Sequence, residues 1–181
     1  YTPNALATAM VDAAGMGELC TGHCVADFAA GNGDLVAAAQ SKWPHVNIIA
    51  TDVDQKAISI LRRRTPQWQV GVCDFLNIRS RQQCSPLRRL IGRANLVLLN
   101  PPFSCRGGKR VRATASGITV RCSTGLAFVV NSVDYLAPNS KIVAVLPSGS
   151  LTSEKDLVAW ELLRNLGSLD IVMHNGHHTF P

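Results

Sequence analysis

The apolar run of residues 94–99 stops at Asn100-Pro101-Pro102-Phe103. Proline cannot donate a ladder hydrogen bond, so strand formation gives no reason for this ending. The residue types suit another task, which is to hold a planar primary amine. The exocyclic amine of an aromatic ring is a poor nucleophile because its lone pair is delocalised into the ring. Two acceptors, one for each N–H, hold such an amine and draw the lone pair out of conjugation. The Asn100 side-chain oxygen and the Pro101 carbonyl supply them. Proline makes the turn rigid, so the acceptors are placed before a substrate arrives. Phe103 adds a flat apolar face on which a base can stack. No metal or dedicated base is required, because the amine sheds its proton readily once it has bonded to a new carbon.

Three other strand ends carry marked residues. Asp27-Phe28-Ala29-Ala30-Gly31-Asn32-Gly33-Asp34 runs from a strand into a glycine turn, where the backbone can reverse tightly and approach a ligand. The third glycine of a dinucleotide fingerprint is lacking, which suits a ligand without pyrophosphate. A glycine turn between strand and helix is also an ordinary structural solution. Asp52 follows about twenty residues further on, placed to accept hydrogen bonds from ribose hydroxyls. Asp54 is placed to cap the next helix. Asp74-Phe75 offers an acid for an adenine amino group and a ring for its face. Together these residues describe a nucleoside pocket without phosphate, which S-adenosylmethionine fits.

These ends must be positioned by alternating elements. Residues 2–15 predict a helix stopped near Gly15. Strands follow over 23–27, 46–52, 68–74 and 94–100, separated by helices over 33–43 and 54–64 and a short helix or turn over 85–92. Beyond a connection of residues 104–122, read as one long loop, come a helix over 124–136, a strand over 140–147, a helix over 153–167 and a strand over 168–174. Strands apolar on both faces, alternating with helices, predict an α/β fold with a mostly parallel sheet covered by helices on both sides.

At 181 residues and 46% hydrophobic content the chain can bury a substantial core. No apolar run reaches the length of a membrane span, which excludes a helical membrane anchor from the sequence read, and no signal-peptide layout opens it. The six cysteines show no CxxC pairs, which reads as free thiols in a reducing cytoplasm. Cys20 and Cys24 bracket His23, too few ligands for zinc, and His174, His177 and His178 read as a polar loop, so no metal is expected.

The formal charge of +6 favours a polyanionic partner. Arg62-Arg63-Arg64 suits a helix C-terminus. Arg106, Lys109, Arg110, Arg112 and Arg121 instead follow the proline motif directly, and are read as contacts to nucleic-acid phosphates. A solvated loop is the plain alternative.

The segments "DFAAGNGDL", "ATDVDQKAI", "CDF" and "NLVLLNPPF", in this order and spacing, resemble the class I S-adenosylmethionine-dependent methyltransferases. More narrowly they resemble the adenine-N6 DNA methyltransferases of restriction–modification systems. "YTPNALATAMV" is similar to the segment that precedes the glycine motif in the gamma arrangement and closes over the cofactor. The resemblance implies a Rossmann-like fold and S-adenosyl-L-methionine as cofactor. It implies cofactor contacts from Thr2, Pro3, Asp27, Ala29, Gly31, Gly33, Asp52, Val53, Asp74 and Phe75. Asn100, Pro101, Pro102 and Phe103 would then hold the target adenine. Phe28 stands where the family often has Pro, and Phe103 where Tyr is commoner.

Residues 1–181 read as one methyltransferase catalytic domain, a fragment that lacks the last strand of the family's seven-stranded sheet and a target-recognition domain. A restriction or target-recognition partner is implied alongside DNA. Other readings stay open: methylation of RNA adenine or of a protein glutamine, and a non-catalytic module that binds nucleic acid. Phe180 is a candidate second aromatic for the base.

Overall fold

The computed structural model describes residues 2–103 and 110–169. Helix α1 (Asn4–Ala13) precedes β1 (Cys24–Asp27), α2 (Asp34–Lys42), β2 (Asn47–Asp52), α3 (Gln55–Arg64) and β3 (Gln69–Val72). Two short helices, α4 (Ile78–Gln83) and α5 (Ser85–Leu90), lead to β4 (Ala94–Leu99). A hairpin of β5 (Val111–Ala115) and β6 (Ile118–Cys122) is followed by α6 (Thr124–Ser132), β7 (Leu136–Ala144) and α7 (Leu157–Leu166). The main sheet has order β3-β2-β1-β4-β7, and every pairing in it is parallel. The expected architecture is therefore observed.

Parallel strands covered on both sides need apolar residues at every position. Val25, Ile48, Ala50, Leu96 and Leu98 pack with Leu6, Met10, Leu35 and Ile58 of α1, α2 and α3. Their neighbours Ala26, Ile49, Val97 and Leu99 face the opposite core, with Leu87, Leu126 and Leu162 of α5, α6 and α7. The chain steps from β1 outward to β2 and β3, then returns to β4 on the other side of β1. That reversal opens a crevice beyond the carboxyl ends of β1 and β4, where such sheets bind ligands.

Several boundaries differ from the sequence reading. Residues 111–122 are a two-stranded hairpin rather than loop. Ser116 and Gly117 both have positive φ, 49° and 78°, as a two-residue reversal between twisted strands requires. The alternation of Ala113, Ala115, Val120 and Cys122 inward was hidden among charged and polar neighbours. Helix α4 was not expected. The Asn77 side chain accepts the N–H groups of Arg79 and Ser80 to start it. The helix after β6 stops at Ser132, and the following strand begins at Leu136, so a tight 3-10 turn replaces its last predicted residues. Helix α7 begins at Leu157 because Asp156 is held in a buried hydrogen-bond network. Cys20, Cys24, Cys73, Cys84 and Cys122 are free thiols. Cys105, Arg106, Lys109, the predicted strand residues 170–174, the three C-terminal histidines and Phe180 lie outside the described residues.

Candidate active site

The crevice is built from the strand ends upward. Asp27 closes β1 and is 1% exposed. Its Oδ1 accepts the Ala29 N–H at 2.9 Å. Burial pushes its carboxyl up to about 7, against the Ala29 hydrogen bond, and the charges of Asp52 and Asp34 push the same way as burial. An acid that burial drives toward its neutral form is suited to a cationic partner, which would restore its charge.

Asp52 closes β2. Its Oδ2 accepts the Gly31 N–H at 2.7 Å, and its Oδ1 accepts the Asp54 N–H at 2.8 Å. Both bonds orient the carboxylate. Each oxygen keeps a lone pair for a further donor such as a hydroxyl. Asp54 turns away, and its side chain caps α3 by accepting the Lys56 N–H at 2.7 Å. Gly31 has φ 49° and open space where a Cβ would stand. Gly33 serves packing instead. Its φ is 82°, and a Cβ there would lie 2.9 Å from both Leu61 and Trp68. Val53 is exposed beside Asp52.

At the end of β3 the two expected residues separate. Asp74 is exposed, and its Oδ1 accepts the Leu76 N–H at 3.1 Å. The Phe75 ring is 1% exposed and stacks on Phe28, with centroids 4.2 Å apart. It also packs near Phe128 and Tyr135. The ring thus belongs to the core and offers no face to a nucleoside, which corrects the sequence reading. Both residues lie past Val72, where β3 ends, and Phe75 stands in a turn that carries its ring into the core.

Asn100 lies half-buried at the end of β4, across from β1. Its Nδ2 donates to Thr2 Oγ1 at 3.0 Å. The Thr2 N–H in turn reaches Asp34 Oδ2 at 3.3 Å, tying the segment before α1 to the glycine turn. Thr2 is buried and Pro3 half-buried at the entry to α1. Pro101 is buried, Pro102 exposed and Phe103 half-buried. The start of α6 lies against this clamp, for a Cβ on Gly125 would come 3.7 Å from Pro101 and 3.9 Å from Phe103.

A cavity of about 210 Å³ opens beside Phe103, with Arg110, Thr124, Gly125 and Lys155 in its wall. Asp156, 1% exposed, braces that wall. Its Oδ1 accepts the Ser123 N–H at 2.6 Å. Its Oδ2 accepts the hydroxyls of Ser123 and Ser150 at 2.7 Å and 2.9 Å. Sequence reasoning missed Gly125, Ser123 and Asp156, because no local spacing links them to the proline motif.

The cofactor candidates therefore converge on the carboxyl ends of β1, β2 and β3, with the clamp beside them. The buried Asp27 carboxyl, the oriented Asp52 carboxylate and the open space at Gly31 are compatible with S-adenosylmethionine. Arg112 and Arg121 stand directly opposite each other on the exposed face of the hairpin. Arg110 clasps the hairpin end, its Nε and one terminal nitrogen donating to the Arg121 carbonyl at 3.2 and 2.7 Å.

The model of the methyltransferase small domain family matches residues 8–176. No curated protein matches the sequence. Among solved structures, the chain is similar to the type I restriction-modification system methyltransferase subunit from Streptococcus thermophilus. The TM-score is 0.63 at 21% identity, over 83% of this chain and 35% of that one. A protein described as a modification subunit of a putative type I restriction enzyme from Vibrio vulnificus gives TM-score 0.63 at 18% identity, over 90% of this chain and 37% of that one. A TehB-like SAM-dependent methyltransferase from Corynebacterium glutamicum gives TM-score 0.53 at 14% identity, over 89% and 71%. The chain spans only 35% and 37% of the two restriction-modification subunits.

Proposed function

The chain belongs to the methyltransferase small domain family, and from that premise we propose that it methylates the exocyclic N6 amine of adenine in DNA. The cofactor is S-adenosyl-L-methionine, which supplies a methyl group from its sulfonium centre when bound. Asp52 would accept the ribose hydroxyls, Asp74 the adenine amine and Asp27 the charge at the methionine end. Ala29, Gly31 and the Thr2-Pro3 segment would line the remaining wall.

The observation that carries the substrate reading is the Asn100–Thr2 hydrogen bond. It commits the amide nitrogen of Asn100 to the Thr2 hydroxyl, which leaves Oδ1 as the atom available to an incoming N–H. With the Pro101 carbonyl it forms the pair of acceptors a planar amine needs. Phe103, beside the cavity of about 210 Å³, would stack on an extruded base. With its conjugation broken, the held amine would attack the methyl carbon; the carbon–sulfur bond would break to leave a neutral thioether, and the amine's surplus proton would pass to solvent.

Arg112 and Arg121 favour a nucleic acid over a protein glutamine as substrate. The neighbours named as restriction-modification subunits favour DNA, with a target-recognition or restriction partner outside this chain. Incubation with labelled S-adenosylmethionine and DNA, RNA or protein, followed by nucleoside and peptide analysis, tests this. N6-methyladenine in DNA is the expected product. Label confined to RNA or to glutamine would overturn the assignment.

A further inference from the structure

Asp156 is a buried carboxylate that the proposed reaction does not use. Burying such a group is costly unless donors satisfy it, and here three do so. Ser123 gives both its N–H and its hydroxyl, at 2.6 and 2.7 Å, and Ser150 gives its hydroxyl at 2.9 Å. Trp160 closes the knot. Its Nε1 donates to the Ser150 carbonyl at 2.8 Å, and its backbone N–H to the Asp156 carbonyl at 3.0 Å. One side chain therefore fastens together the start of α6, the turn of residues 148–150 after β7 and the start of α7.

Ser123 occupies the position from which a serine ordinarily caps a helix, yet its hydroxyl makes no cap to α6. It is spent on Asp156 instead. Two residues on, Gly125 is wedged between the clamp and the chain that leaves β7. A Cβ there would lie 3.7 Å from Pro101, 3.9 Å from Phe103 and 3.0 Å from Leu146. Ser123, Gly125, Ser150 and Asp156 all line the cavity of about 210 Å³ beside Phe103. A shift of Ser123 would carry Gly125 against Phe103 and change the shape of that cavity, because close-packed neighbours transmit displacement rather than absorb it.

We propose that Asp156 is a positioning residue for the target base. Through Ser123 it holds the start of α6 where Gly125 leaves room beside Phe103, and so fixes the pocket that receives the base. This role rests on the reading of Asn100, Pro101 and Phe103 as the substrate clamp. The Asp156 carboxylate is spent on the serine donors, so it orients the wall and does not handle the reacting proton.

The test measures steady-state kinetics of the full-length protein on genomic DNA free of N6-methyladenine, with S-adenosylmethionine binding followed by calorimetry. Asp156→Ala should raise KM for DNA about tenfold, while the stoichiometry and dissociation constant for S-adenosylmethionine stay as in the parent. A carboxylate needed only for folding would behave differently. Fewer molecules would be active, so apparent kcat and cofactor stoichiometry would fall together at unchanged KM, and that result overturns the proposal. Asp156→Asn keeps an acceptor for the Ser123 N–H, and its NH2 can donate to the two hydroxyls once they turn to accept. Its KM should therefore return close to the parent value. An Asn variant as impaired as the Ala variant would mean that the charge acts rather than the brace, which also overturns the proposal. Ser123→Ala removes one hydroxyl and no helix cap, and it decides the matter if Asp156→Ala does not fold. Its KM should rise several-fold, and an unchanged KM refutes the link from Asp156 to α6. A parent that methylates RNA or glutamine rather than DNA refutes the DNA reading alone, and the same KM comparison on that substrate still decides the role of Asp156. A parent that methylates none of the three refutes the clamp, and this role with it.

Discussion

Thr2 Oγ1 receives the Asn100 side-chain N–H at 3.0 Å across 98 residues of sequence. The segment before α1 therefore sets which way the clamp amide points. Thr2→Val keeps the shape but removes the acceptor, leaving the amide free to turn its nitrogen toward the substrate. Turnover should fall about tenfold to a hundredfold, the cost of one misplaced hydrogen-bond partner. Thr2→Ser, which keeps the hydroxyl, should retain most activity. Asn100→Ala should cost about a hundredfold or more in turnover with cofactor affinity nearly unchanged. Steady-state kinetics decide it: full activity in Thr2→Val would mean that Asn100 is oriented by something else.

Asp52 and Asp54 stand two residues apart and have separate tasks. Asp52→Ala removes the acceptor proposed for ribose and frees the Gly31 and Asp54 N–H groups it now holds. S-adenosylmethionine binding should weaken by about 1–3 kcal/mol. Asp54→Ala removes the α3 cap and should lower stability by about 1 kcal/mol, with affinity little changed. Calorimetry and denaturant unfolding on both variants separate the two roles, and reversed results would exchange the assignments.

The buried Asp27 makes a pH prediction. Its carboxyl rises from 3.8 unfolded to about 7 folded, so the folded chain keeps a proton that the unfolded chain releases. Below 3.8 both states are protonated and the group costs nothing; its penalty grows through that window and is complete above about 7. Stability from this group therefore falls as pH rises. Asp27→Asn should stabilise the chain at alkaline pH by about 2–4 kcal/mol, with little effect in strong acid. The same titration should strengthen binding of the cationic cofactor as pH rises through about 7, and Asp27→Asn should flatten that dependence. A variant that is no more stable at alkaline pH than the parent would remove the penalty assigned to Asp27.

Much of this arrangement was legible in the sequence because local rules and tertiary packing agree. Buried parallel strands need apolar residues on both faces, so β2 and β4 announced themselves, and Asp54 was recognisable as a cap from its position alone. Phe75 misled because an aromatic at a strand end suits either a ligand or the core. Only the proximity of Phe28, Phe128 and Tyr135 decides between them. The hairpin carried a local signal, Ser116-Gly117 between alternating residues, which the surrounding arginines obscured. The Asp156 network joins residues 33 apart in sequence, and no periodicity encodes such a meeting.

The hairpin arginines provide the last test. Arg112 and Arg121 face each other across β5 and β6, and among the described residues neither has a carboxylate partner. Arg121 donates one long hydrogen bond to the Arg110 carbonyl at 3.4 Å, but like charges directly opposite on a strand pair are destabilising, a cost that a bound polyanion would offset. Replacing both with Ala should therefore leave stability unchanged or slightly higher. Nucleic-acid binding should weaken, and the slope of log affinity against log salt should flatten by about 0.7–0.9 for each phosphate that is no longer neutralised. Cofactor affinity should not move, since both side chains stand on the hairpin, away from the cofactor crevice. Titrations of a DNA duplex and a single strand at several salt concentrations measure that slope. An unchanged slope in the double variant would show that this face of the hairpin touches no phosphate, whatever the substrate of the clamp.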